Sequence, residues 1–200
     1  MELTDRQGDA LTEVLNIATA RTAAALSDLT GQRVVLDVPH VVIHPIGELT
    51  AALSTFIQGD IVTVHQIFSG PVAGDALLLL EYEAAVTLTD LMINENVRSK
   101  RLNASAREVL TEVGNILLSA CMGVFGDLLQ VRVSFAVPRL HLDALNGMLH
   151  SLMIGQEEIQ YALVVHTTFR LRDSEVNGYL LMVLGVASLD QLLQAVEQLG

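Results

Sequence analysis

The chain has 200 residues, 51% of them apolar, with 23 acidic against 11 basic residues and a net charge of −12. That length suits one substantial domain or two small ones with a real core. The negative charge excludes a nucleic-acid backbone as ligand, since no basic patch is there to release counterions, and the single cysteine, Cys121, excludes an intrachain disulfide.

In chain order, residues 4–29 carry one long helical pattern, with Thr4 and Gln7 spaced as a capping box and "LTG" as its stop. "QRVVLDVPHVVIHP" follows as a strand region, then a short apolar stretch near 48–56. "DIVTVHQIF" (60–68) and "VAGDALLLLEYE" (72–83) read as antiparallel strands joined at Ser69-Gly70-Pro71. A helix at about 84–93 closes this half, and the polar segment "INENVRSKRLN" (93–103) leads into the next. There the order repeats: a helix over 103–129, the strand region "VRVSFAVPRLHL", a short helix near 143–152, strands at 157–171 and 177–185, and a helix at 187–198. Each half has too few strands to bury a sheet well. The expectation is one α/β (α+β) domain, residues 1–200, built from repeats of about 1–95 and 100–200. Its halves share an antiparallel sheet covered by helices, related by a pseudo-twofold.

No apolar run approaches membrane-span length: "ALLLL" is strand-sized, and the stretch 116–131 is interrupted by Asp127. No charged-then-apolar leader opens the chain, so a cytoplasmic protein without membrane insertion is expected. Cys121 falls on the second long helix, where ordinary burial is expected rather than a reactive thiol.

The repeat is sharpest in "LTEVLNIATA" and "LTEVGNILLS". Glu13, Asn16 and Pro39 recur as Glu112, Asn115 and Pro138 at one constant offset. On a helical wheel Leu11, Leu15, Ala18, Ala25, Leu26 and Leu29 face inward, while Asp9, Glu13 and Asn16 face out beside small alanines. In the second copy Leu110, Gly114, Leu117, Cys121, Val124 and Leu128 face inward, and Glu108, Glu112 and Asn115 face out with Ser119 and Gly123. Ile17 and Ile116 flank the two pairs, giving a polar pair with small neighbours and an apolar rim, as a protein-docking site would have. An exposed Glu/Asn pair is normally solvated decoration, and Glu108 would complete a capping box with Ser105. Asparagine is a poor mid-helix residue, however, and keeping it twice has no stability rationale.

An asparagine cannot act as a base, but its amide accepts one hydrogen bond and donates another. That suits orienting a water for in-line attack on a phosphoryl group, where positioning supplies much of the catalysis. A nearby carboxylate can pair with a cation on the partner.

The pattern Asp9, Glu13, Asn16, Pro39 and its second copy Glu108, Glu112, Asn115, Pro138 resembles the Asp/Ser-x-x-x-Glu-x-x-Asn-x(22)-Pro signature of the CheC/CheX/FliY chemotaxis phosphatases. The likeness spans nearly the whole chain and is nearest to CheC. It implies a phosphatase acting on the aspartyl phosphate of CheY or a CheY-like receiver domain. By that resemblance Asn16 and Asn115 orient water, Glu13 and Glu112 engage the regulator's lysine, and Asp9 and Glu108 are supporting positions. Magnesium belongs to the regulator, so the chain itself needs no cofactor. The deamidase CheD is a second partner that the resemblance admits. A non-catalytic regulator-binding or flagellar-switch component, or a CheD-holding adaptor, is the rival expectation. Family members usually carry glycine before the motif asparagine and small residues after it. The first copy has Leu15, Thr19 and Arg21 there, whereas the second keeps Gly114, which favours the second site.

Six histidines invite a metal reading. His40 and His44 are bracketed by Pro39 and Pro45, and His65 and His166 fall in comparable strands where packing is expected, so no metal site is assigned.

Overall fold

The computed structural model describes residues 3–37, 40–55, 57–93, 101–153, 160–171 and 174–198. The first half runs α1 (Asp5–Thr30), β1 (Val34–Leu36), β2 (His40–Pro45), α2 (Ile46–Leu53), β3 (Asp60–Ser69), β4 (Gly74–Glu81) and α3 (Tyr82–Ile93). The second repeats that order as α4 (Ala104–Leu129), β5 (Ser134–Phe135), β6 (Arg139–Ala144), α5 (Leu145–Met153), β7 (Gln160–Leu171), β8 (Ser174–Gly185) and α6 (Val186–Glu197).

The α1 start is fixed by a full capping box: the Gln7 backbone N–H donates to the Thr4 hydroxyl, and the Thr4 N–H to the Gln7 side chain. Gly31, at φ 64°, ends the helix in the left-handed conformation that glycine adopts without strain. Asn103 caps α4 through the Ala106 N–H at 2.8 Å. Ser105 lies inside the helix, so the alternative role of Glu108, a capping box with Ser105, is not the cap this helix uses.

The eight strands of the described residues join one sheet, and every strand pair among them is antiparallel. β4 and β8 meet at the centre, where Leu78 pairs with Leu180. The strand pairs that follow the two long helices cross over: β1 and β2 pair with β7, while β5 and β6 pair with β3. His40 lies opposite His166, and Arg139 opposite His65, so the two crossings have matching registers.

Alternation along the strands divides the core by sheet face. Val62, Val64, Leu78, Leu80, Leu163, Val165 and Met182 face the layer made by α1, α3, α4 and α6. Ile61, Leu77, Leu79, Ala162, Val164 and Leu181 face α2 and α5. Helix α4 is long and apolar enough to cross a membrane by length and composition, contrary to the expectation drawn from its interruption at Asp127. Much of it is buried within the fold, as expected of a core helix.

Candidate functional site

Helices α1 and α4 pack side by side on one face of the sheet. Their inward faces follow the expected pattern at Leu11, Leu15, Ala18 and Leu26, and at Leu110, Gly114, Leu117, Cys121 and Val124, all buried. Ala25 and Leu29 depart from it. Both are exposed, Leu29 by 57%, and Leu29 lines a cleft with Met92 and Ile93 while its neighbour Leu26 is fully buried. The Ser27 hydroxyl accepts the Val34 N–H at 3.0 Å, which ties α1 to β1.

Outward, Asp9, Glu13, Glu108 and Glu112 are exposed, and Asn16 and Asn115 are half-buried. Ile17 is exposed and Ile116 half-buried. Each helix therefore presents its carboxylate and amide on one accessible face. Pro39 lies outside the described residues; Pro138 is half-buried on the β5–β6 connection.

The surroundings of the two asparagines differ. A Cβ on Gly114 would lie 2.5 Å from Val64 Cγ1, so glycine is what lets α4 settle onto β3. That approach brings Asn115 to Gln66, a β3 residue only 2% exposed. The Gln66 Nε2 donates to the Ala136 carbonyl at 3.0 Å and to Asn115 Oδ1 at 3.3 Å. The Ser119 hydroxyl makes a longer contact to the same Oδ1, at 3.5 Å. In α1 the matching position is Leu15, fully buried. The Asn16 side-chain amide has no hydrogen bond among the described residues; its backbone carbonyl takes the Thr19 hydroxyl at 3.0 Å. By the matching strand registers, Gln66 corresponds to Thr167, whose buried hydroxyl is unpaired among the described residues. Gln66 was not found from the sequence. Its signal, a glutamine among the apolar residues of one strand face, acquires meaning only once the strand crossing is known.

Glu108 and Glu112 also line a cleft of about 320 Å³ whose walls include Leu29, Met92, Ile93 and Val109. The flank of the second site is therefore apolar with two carboxylates at its rim. Arg21 reaches Asp127 across the helices at 3.4 Å, an exposed ion pair of small energetic weight. A cavity of about 20 Å³ under α4 is lined only by apolar residues and glycine, including Phe68, Met122 and Phe125, and offers no polar group to a ligand.

The histidines lie elsewhere. His65 Nε2 sits 2.6 Å from Asp75 Oδ1, linking β3 to β4, with the His141 ring 6.2 Å away between centroids. His166 stacks on Tyr179 at 5.0 Å. Burial, and after it the charge of Glu81, raises the Tyr179 phenol above its ordinary value. Among the described residues no group of three or more His, Cys, Asp or Glu is placed to hold a metal ion. Cys121 is buried, and burial pushes its thiol up to about 12. A thiol held protonated is a poor nucleophile.

No protein-family model matches the chain. In sequence it is 24% identical to the CheY-P phosphatase CheC of Bacillus subtilis (strain 168), covering 96% of this chain and 94% of that one. In structure it is similar to FliY of Thermotoga maritima, with a TM-score of 0.80 over 99% of each chain at 18% identity. The middle domain of FliM from H. pylori gives a TM-score of 0.67 at 10% identity, covering 96% of this chain and 99% of that one. In sequence the chain is similar to CheC over nearly its whole length, and it carries the curled antiparallel sheet and helical layer of the CheC/FliY fold.

Proposed function

We propose that the chain is a phosphatase that accelerates hydrolysis of the aspartyl phosphate of a CheY-like receiver domain, with the α4 site as its more competent centre. The observation that carries this reading is the Glu112/Asn115 pair. Both side chains reach the accessible face of α4, and of the two motif asparagines only this one is braced from the sheet among the described residues. The sequence relation to CheC supplies the reaction class.

In this reading Asn115 holds a water in line with the phosphorus. The water oxygen bonds to phosphorus as the bond to the aspartyl oxygen breaks. The regulator's carboxylate leaves, and inorganic phosphate carries away the water's oxygen. Positioning and exclusion of competing geometries are the protein's contribution. Glu112 pairs with a lysine of the regulator, and the cleft beside it suits that side chain, whose stem is apolar and whose head is charged. The chain contributes no metal; magnesium stays with the receiver domain. Asn16 and Glu13 form the weaker site, with Asp9, Glu108, Ile17 and Ile116 as partner contacts.

The non-catalytic alternative draws on the fold shared with the FliM middle domain, which in H. pylori has been solved in complex with FliG. The deciding measurement is phosphate release from a phosphorylated CheY-like receiver domain with wild type, Asn16→Ala, Asn115→Ala and the double variant. The expected order is wild type above Asn16→Ala, above Asn115→Ala, above the double variant. Binding of the receiver without any change in its dephosphorylation rate would establish the non-catalytic reading instead.

A further inference from the structure

The orientation of the Asn115 amide is settled by a relay that begins at a backbone carbonyl. The Ala136 carbonyl can only accept, so the Gln66 atom 3.0 Å from it is the amide nitrogen. That nitrogen is also the atom 3.3 Å from the Asn115 side chain, so Asn115 must present its oxygen inward. The Asn115 Nδ2 is left as the group offered to an incoming partner. The relay is anchored: the Ala136 N–H donates to the Ile67 carbonyl at 2.9 Å, which fixes the β5–β6 connection against β3. Gln66 is held although its own Oε1 is buried with no hydrogen-bond partner among the described residues, a cost that packing alone does not explain.

We infer that Gln66 is a positioning residue for the α4 site, fixing Asn115 as a hydrogen-bond donor to the attacking water or a phosphoryl oxygen. This deepens the proposed phosphatase reading and rests on it. A water held by an N–H keeps its second lone pair for phosphorus and both protons for phosphoryl or carboxylate oxygens. The α1 site lacks this device, because Leu15 occupies the place of Gly114 and Thr167 the place of Gln66.

Three variants test the relay on the full chain, with a phosphorylated CheY-like receiver domain as substrate. Gln66→Met keeps the volume and removes both the donor and the unpaired oxygen, so thermal stability should be unchanged or slightly raised. Its kcat should fall about 10- to 100-fold while KM stays within about twofold. Asn115→Asp keeps an oxygen facing Gln66 but replaces the outward donor by an acceptor, and should lose kcat as severely as Asn115→Ala. Gln66→Glu should repel Ala136 and turn the Asn115 nitrogen inward, with a similar loss of kcat. Wild-type kcat in Gln66→Met, or activity retained in Asn115→Asp, overturns the inference. A wild type without phosphatase activity overturns the catalytic reading instead. The contact is then judged by NMR: the Gln66 side-chain amide protons should exchange slowly and shift in Asn115→Ala. Unshifted resonances sink the relay whatever the catalysis.

Discussion

The Gly114 position concentrates the difference between the two copies of the motif. With Val64 Cγ1 at 2.5 Å from any added Cβ, even alanine forces α4 away from β3. Substituting leucine, the residue of the first copy, should cost about 1–3 kcal/mol of overpacking strain. It should also separate Asn115 from Gln66. A lowered urea midpoint together with a shifted Gln66 amide resonance is the expected result; native stability would mean that the sheet yields freely there. The Glu/Asn pairs were legible in the sequence because helical periodicity fixes which residues share a face. Gln66 was not, since it stands 49 residues from Asn115 and in the other half of the chain. Only the strand crossing joins them. Cys121 adds a pH dependence of known sign. Below pH 9.0, the ordinary thiol value, native and unfolded chains both keep the proton. Above it the unfolded chain ionises and the native one does not, until about pH 12. Stability should therefore fall as pH rises through this window, by about 1.4 kcal/mol per unit from this group. The raised Tyr179 phenol acts in the same direction. Cys121→Ala should flatten the slope of denaturation midpoint against pH, even though the lost sulfur lowers the midpoint itself.

Among the elements, helix and strand identities follow from pattern, and their ends move by a few residues according to local hydrogen bonding. The strand expected from 177 starts at Ser174, because β8 continues to pair with β7 as far as Leu171. The short apolar stretch near 48–56 is helix α2, Ile46–Leu53, its Leu49 and Leu53 buried against the second sheet face. Helix caps are where the sequence misleads most easily, since Asn103 and Ser105 are both good capping residues two positions apart. Asn103 wins because its side chain reaches the Ala106 N–H, while Ser105 is already helical. Asn103→Ala should then lower stability by about 1 kcal/mol, and Ser105→Ala should change it little. Thermal melts of the two variants distinguish the caps. The reverse ranking would move the start of α4 to Ser105. The α1 C-terminus shows the limit of a wheel: Leu26 and Leu29 share the nominal core side, yet Leu26 is fully buried and Leu29 stands exposed at the cleft beside Met92 and Ile93.

At the scale of the whole molecule, the repeated element order and the crossed strands make each half depend on the other. The sequence implied a shared sheet from the shortage of strands per half, but not which strands cross, because pairing partners leave no local signal. The crossing places β6 against β3 and β2 against β7, so a half cut out between α3 and α4 loses a strand neighbour at both ends of its sheet. It also loses the packing of α1 against α4 and of the central β4–β8 pair at Leu78 and Leu180. Apolar sheet faces and unpaired edges would be exposed together, a combination that favours unfolding or aggregation. Each half expressed alone should therefore lack a cooperative thermal transition, whereas mixing the two should restore one along with the dispersed NMR spectrum of the intact chain. The Gln66–Asn115 contact spans the two fragments, so the protected Gln66 amide should appear only in the mixture. A cooperative transition in either isolated half would show that the halves are independent folding units, with the crossed strands ornamental to stability.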